Sequence, residues 1–365
     1  MLYVQYLLSI CTSTNRMYIL NVQHRYTEMI DHMERPETTH NDRDHIKHPL
    51  VSVIITNYNY ATYLKQAIDS VLAQTYSKLE IIVVDDGSQD ESRDVITSYG
   101  DQVIPVFKEN GGQASGFNAG FAVSSGALIC FLDADDLWLP SKVDAVVQAA
   151  LVNPEAVLIY HKMQWIDAEG IPYGKPWPHA LFQGQIAHKV TRSGGWWRYS
   201  PTAGLSFRRT FLEKVLSIPE TTYRLNPDAY LSGLAPYLGE IAGIPEVLAW
   251  YRIHGANHWG DPIQSQKISR IRAEAIFYEK HIACLNQTLK NLGINQSISL
   301  KNHWHYQYYK WKLGEGYGPF QLSWQALQTP TAHPLSRFKN LTTLWREALG
   351  SKKPQNVSKE LLEKP

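Results

Sequence analysis

Three short segments hold the side chains best suited to chemistry: Thr56-Asn57-Tyr58-Asn59, Asp85-Asp86-Gly87-Ser88 and Asp133-Ala134-Asp135-Asp136. The last two bring five carboxylates, and like charges gathered at one place cost stability unless a cation or a donor-rich ligand offsets them. A turn or helix cap explains an isolated Asp-Gly-Ser or Asp-Asp equally well, and Asp90 is read that way. Capping needs a single carboxylate, whereas the Asp133 to Asp136 segment offers three. An Asp-x-Asp directly after a buried strand can present both carboxylates to one divalent ion. Hard oxygen ligands suit Mg²⁺ or Mn²⁺, which also engage phosphate oxygens and water.

Two further positions stand apart from these segments. His254, in Tyr251-Arg252-Ile253-His254-Gly255, could ligate a metal as neutral imidazole, although most of the 14 histidines must be ordinary surface residues. Asp228, in Asn226-Pro227-Asp228, is placed to interact with the free N–H groups of a helix start. Trp177, Trp196, Trp197 and Trp259 could stack on the apolar faces of a ligand ring, with core packing the commoner fate of the residue.

The intervening pattern shows what must position these groups. Leu50 to Thr56 is a β-branched apolar run that reads as a buried strand. Leu64, Ala67, Ile68, Val71 and Leu72 then mark one face of a helix over Ala61 to Gln74. Leu79 to Val84, Gln102 to Phe107, Leu128 to Leu132 and Ala156 to Tyr160 are further strands. Helices are expected over Asp90 to Tyr99, Gln113 to Ser124 and from Pro140 onward, proline suiting a first helical turn. This alternation predicts an α/β fold with a mostly parallel central sheet flanked by helices. Ligands in such sheets bind beyond the carboxyl ends of the strands, where the three segments lie. Residues 171–204 read as loop, Ile244 to Ile253 as strand, and helices dominate from Gln264.

Taken together, the segments resemble the family 2 glycosyltransferases. The resemblance runs through VSVIITNYNYATYLKQAIDSVLAQTY, EIIVVDDGSQD, KENGGQASGFNAG and CFLDADDLWLPSKV, then the weaker PTAGLSFRR and IPEVLAWYRIHGANHW, covering about residues 50–260. It implies a GT-A type nucleotide-diphospho-sugar transferase fold and an inverting transfer to a hydroxyl of a glycan or lipid-linked acceptor, in cell-surface polysaccharide or glycolipid assembly. By the same resemblance Thr56, Asn57 and Tyr58 flank the donor nucleoside, Asp86 bonds the base, and Asp133 meets the ribose or a metal-bound water. Asp135 would be the principal ligand of a Mg²⁺ or Mn²⁺ cofactor on the diphosphate, His254 would complete the metal or contact phosphate, and Asp228 would be the catalytic base, with Glu240 in reserve. Two positions depart from the family pattern: Phe117 stands where an arginine is common, and Pro227 where an acidic residue precedes the base. They leave open a catalytically silent nucleotide-sugar-binding or scaffolding protein.

Composition narrows the rest. Thirty-five Lys and Arg against 34 Asp and Glu give no cationic surplus, so nucleic acid is not an expected partner. Three scattered cysteines argue against a disulfide framework and a zinc site, pointing to the cytoplasm. No run of about 18 apolar residues suggests a membrane span, although the tyrosine, tryptophan and basic residues of the helical end permit peripheral contact with the inner face of the plasma membrane. Gly-x-Gly-x-x-Gly, the phosphate-loop Gly-x4-Gly-Lys-[Ser/Thr] and the Gln-x-x-Arg-Trp of processive synthases are all absent. The expected organisation is a disordered or spurious extension over 1–48, a GT-A domain over 49–262, a helical region over 263–350 and a disordered tail over 351–365.

Overall fold

The structure is a computed structural model, and it describes residues 48–255 and 268–350. The expectations for the N-terminal extension, for Trp259 and for the tail lie outside the described residues.

The leading half alternates as its periodicity requires. β1 (Val51–Asn57), α1 (Ala61–Leu72), β2 (Leu79–Asp85), α2 (Ser92–Thr97), β3 (Ile104–Phe107), α3 (Gln113–Val123) and β4 (Leu128–Asp133) follow in order. β5 (Leu137–Trp138), α4 (Lys142–Val152), β6 (Ala156–Ile166) and β7 (Pro172–Trp177) come next. Beyond them lie α5 (Ala187–Arg192), β8 (Leu205–Arg208), α6 (Arg209–Val215), α7 (Pro227–Leu238) and β9 (Glu240–Arg252). The chain ends in α8 (Ile268–Asn291), α9 (Trp304–Lys312), α10 (Pro319–Gln328) and α11 (Pro334–Gly350).

The strands form one sheet in the order β3-β2-β1-β4-β8-β6-β9-β5, with β7 paired to β6. β1 to β4, β6 and β9 run one way, while β8, β5 and β7 run against them. The expected mostly parallel sheet is therefore present, with antiparallel strands inserted. Segment 171–204 is not all loop, because Pro172 to Trp177 finds a partner in β6 that no local signal announces.

Both faces of the sheet are covered, which explains why its central strands carry runs of consecutive apolar residues such as Val53 to Ile55 and Ile81 to Val84. Val51, Val53 and Ile55 pack on the layer built with α1 and α4, whereas Ile54 packs on the opposite layer. In that opposite layer Phe207, Tyr230 and Leu234 join Ile282, Leu285 and Leu289 of α8. The first C-terminal helix thus shares the apolar layer of the α/β domain, and the expected boundary near 263 does not divide the core. Among the described residues no helix is long and apolar enough to cross a membrane.

Candidate functional site

The carboxyl ends of β1, β2 and β4 open on one side of the sheet, as their parallel pairing demands. Asn57 pairs with Asp85 across β1 and β2, and Thr56 with Asp133 across β1 and β4. A cleft of about 380 Å³ lies over them, within the ~300–1,000 Å³ usual for small-molecule sites. Thr56, Asn57, Tyr58, Asp86, Asp133 and Asp135 all line it. The register of three adjacent strands brings together residues almost eighty positions apart.

Each carboxylate has a distinct setting. Asp86 accepts from Lys108 Nζ at 2.6 Å, Gly111 N at 2.9 Å and Gly112 N at 2.7 Å. It therefore anchors the glycine turn ahead of α3 as well as facing the cleft. Gly112 sits at φ +92, and a Cβ there would come within 2.5 Å of Arg224 O, so glycine is required. Asp133 Oδ1 accepts from Gln113 Nε2 at 2.7 Å and Thr56 Oγ1 at 3.3 Å. Burial, then the charges of Asp135 and Asp228, pushes the Asp133 carboxyl up to about 7. Asp90 behaves as the cap expected of it, accepting from Ala61 N at 2.9 Å and Ser92 N at 3.1 Å.

The expectation that all five carboxylates converge needs correction. Asp85 is fully buried beneath the cleft, where Arg93 Nε lies 3.3 Å away and Asn57 Nδ2 and Ser88 N donate to it. Asp136 is buried too, and its Oδ1 accepts from Arg252 N at 3.0 Å. The strand ends place three carboxylates at the cleft and two under its floor.

Arg252, at the end of β9, carries no local signal in the sequence, yet it holds the Asp135 loop in place. Almost wholly buried, it donates through Nε to Asp135 O at 2.9 Å and through Nη2 to Gln66 Oε1 at 2.8 Å. Its guanidinium also lies 4.9 Å from the centre of the Tyr63 ring. Two residues later His254 Nε2 stands 3.0 Å from Asp135 Oδ2, its ring beside those of Tyr60 and Tyr63 at 5.5 and 5.0 Å. The far ends of β4 and β9 thus meet at one pair of side chains, and that meeting is what lifts His254 out of the other histidines.

The arrangement suits a divalent cation. Burial and the charges of Asp135 and Asp133 push the Asp136 carboxyl well up, and its Oδ2 is buried without a hydrogen-bond partner among the described residues. The Arg252 guanidinium beside this cluster of three carboxylates offsets part of its charge. Asp135 and His254 supply one hard oxygen and one imidazole at its edge. Among the described residues no group of three or more potential ligands converges, so other coordination positions would fall to phosphate oxygens and water.

Phe117 is plainly structural: buried in the core, its ring stacks on Phe131 with centroids 3.9 Å apart. The cation at the cleft is instead Arg224, which donates through Nη1 to Gly111 O at 3.2 Å and through Nη2 to Asn110 Oδ1. Nothing local in the sequence singled it out, since Arg224 reaches the glycine turn only through the fold.

Asp228 occupies the first turn of α7, with Pro227 ahead of it and Asn226 in the left-handed region at φ 63. Gln113 ties this start to the cleft, its Oε1 accepting from Asn226 N at 3.3 Å while its amide donates to Asp133. Burial raises the Asp228 carboxyl to about 6. Beside it lie two further cavities of about 250 and 260 Å³, and Asp228 lines both. Glu240 does not qualify as the reserve base. It begins β9 opposite Ala156, at the other end of the strand from His254. Of the tryptophans, Trp197 is core, donating to Ser232 O at 3.0 Å, while Trp177 borders both cavities beside Asp228.

Residues 52–215 match the model of glycosyl transferase family 2. An uncharacterized glycosyltransferase of Nostoc sp. is 38% identical over 283 residues, covering 73% of this chain and 86% of that protein. Among solved structures, S. aureus TarS 1-349 in complex with UDP-GlcNAc has TM-score 0.49 and 15% identity, covering 82% of this chain and 92% of that one. The Pyrobaculum calidifontis mannosyltransferase PcManGT in complex with GDP-Man and Mn²⁺ has the same TM-score at 16% identity, covering 91% and 88%. The assignment rests on the sequence relatives, with the strand-end acidic cleft as its structural counterpart: the chain belongs to glycosyltransferase family 2, as an enzyme that takes its sugar from a nucleotide-sugar donor.

Proposed function

We propose that the chain is an inverting glycosyltransferase in which Asp228 is the base, acting on a hydroxyl of a glycan or lipid-linked acceptor. One observation supports this above the rest: Asp228 lines two cavities beside the donor cleft, with its carboxyl raised to about 6. A base poised just below neutrality is ionised at working pH and still holds a proton well enough to drive the transfer.

In this reading the nucleoside lies along Thr56, Asn57 and Tyr58, with Asp86 and Arg224 at the glycine turn and Asp133 toward the ribose. Asp135 and His254 would hold a Mg²⁺ or Mn²⁺ ion, and such an ion would supply Lewis-acid stabilisation of negative charge on the diphosphate. The acceptor hydroxyl binds beside Asp228. Its oxygen forms a bond to the anomeric carbon as the bond from that carbon to the diphosphate oxygen breaks. The hydroxyl proton passes to the Asp228 carboxylate, the nucleoside diphosphate leaves, and the anomeric carbon of the transferred sugar is inverted. Gln113 bridges Asp133 and the start of α7, so the donor and acceptor sides are aligned by one side chain.

Cell-surface polysaccharide or glycolipid assembly at the inner face of the membrane is the setting proposed. It is supported by Phe320, Trp324, Leu335 and Phe338, all well exposed on α10 and α11. The test of the central claim is Asp228→Asn assayed with a panel of UDP-, GDP- and dTDP-sugars. Turnover should fall by about 10²- to 10⁴-fold with donor binding intact, and unchanged turnover would remove Asp228 from the role.

A further inference from the structure

The 250 Å³ cavity beside Asp228 is walled on one side by α8, and its lining includes Trp177, Trp196, Arg198, Tyr199, Glu274 and Tyr278. Its aromatic faces suit the apolar faces of a pyranose ring. A cation in such a place is the unusual feature. The Arg198 guanidinium lies 4.5 Å from the Trp177 ring centre and 5.7 Å from that of Trp196. Nη2 donates to Ser336 Oγ at 3.2 Å, but Nε is buried with no hydrogen-bond partner among the described residues.

No carboxylate among the described residues forms an ion pair with Arg198. Glu274, in the same cavity, is paired instead with Arg270 at 3.7 Å. The neighbouring His281, His303 and His305 are shifted by burial toward their neutral forms, so none of them adds a charge beside the guanidinium. Desolvating an unpaired guanidinium is costly, and its planar fork matches a carboxylate or phosphate. The aromatic stack fixes the plane of that fork and leaves a buried N–H facing no acceptor.

We propose that the acceptor is an anionic saccharide whose carboxylate or phosphate pairs with Arg198, its ring lying against Trp177 and Trp196. This rests on the reading of the Asp228 side as the acceptor side. The attacking hydroxyl then reaches Asp228 while the anion holds the register of the acceptor, so Arg198 selects the substrate and takes no part in the transfer itself.

The test titrates the full chain by ligand-observed NMR with methyl β-D-glucuronide, glucose 1-phosphate and methyl β-D-glucoside. An anionic probe should bind about ten-fold more tightly than the neutral glucoside, as a charge-assisted pair provides. Preference for the glucuronide assigns a carboxylate, and preference for the sugar phosphate assigns a phosphate. Arg198→Met should erase the preference and Arg198→Lys should keep part of it. Equal binding of all three probes by the wild-type protein overturns the proposal whether or not R198M folds, as does a preference that survives in folded R198M. Failure of the wider reading looks different: Asp228→Asn would then turn over normally while the probe preference stood.

Discussion

His254 Nε2 lies 3.0 Å from Asp135 Oδ2, although 119 positions separate the two residues. That pairing joins the end of β9 to the loop after β4. On the proposed metal assignment Asp135→Asn should nearly abolish transfer. His254→Ala should instead raise the Mn²⁺ concentration giving half-maximal rate, by about 10- to 100-fold for a lost ligand-orienting contact. Initial rates over a Mn²⁺ titration check both, and an H254A curve superposing on wild type would exclude His254 from the site.

The raised Asp228 carboxyl gives a pH dependence with a definite sign. In the proposed base role it works ionised, so kcat/KM should climb as pH rises through about 6 and level off above. Stability runs the other way. A carboxyl whose folded value lies above its unfolded one favours the fold when protonated, so its contribution is present below the usual carboxylate range and declines as pH rises through about 6. Asp228→Asn should remove that decline from a melting-temperature profile. An unchanged profile would mean that Asp228 has an ordinary carboxyl.

Phe117 offers a test of the departure from the family pattern. Replacing it with arginine restores the common residue but inserts a charge where Phe131 now stacks. F117R should be destabilised more than F117A, itself expected to lose about 3–5 kcal/mol as a truncated core aromatic. Urea denaturation decides this; a stable, active F117R would show that the side chain can swing to the cleft.

Lys108 and Asp86 together hold the glycine turn that Arg224 meets from the other side. Arg224→Ala and Lys108→Met should each weaken nucleotide binding by about 5- to 30-fold, the usual worth of one or two kcal/mol, with little change in melting temperature. Thermal shifts with and without nucleoside diphosphate separate these effects, and full nucleotide-induced shifts in both variants would remove the turn from donor binding.

The exposed apolar residues of α10 and α11 predict a surface preference. The protein should co-sediment with vesicles containing anionic lipid, and a Phe320, Trp324, Phe338 triple serine variant should stay in the supernatant. Equal recovery of both proteins from the supernatant would exclude this face as a membrane contact.

What could be read from the sequence follows from the range of the interactions involved. Strands β1 to β4 and the helices between them declare themselves through local periodicity, and parallel strands set the chemistry at their carboxyl ends, so Thr56, Asn57, Asp86, Asp133 and Asp135 arrive at one cleft as the strand order requires. Asp85 and Asp136 look identical to their neighbours in sequence. Only the turn and the buried Arg252 decide that they lie beneath the floor. Arg224 and Arg198 carry no local signal at all, because a cation's role depends on what the folded chain leaves beside it. The same holds for β7, which needs β6 to become a strand, and for α8, whose apolar face completes the core and closes a wall of the cavity beside Asp228. Periodicity is a property of neighbouring residues, whereas a partner contributed from a hundred positions away exists only once the sheet has closed around it.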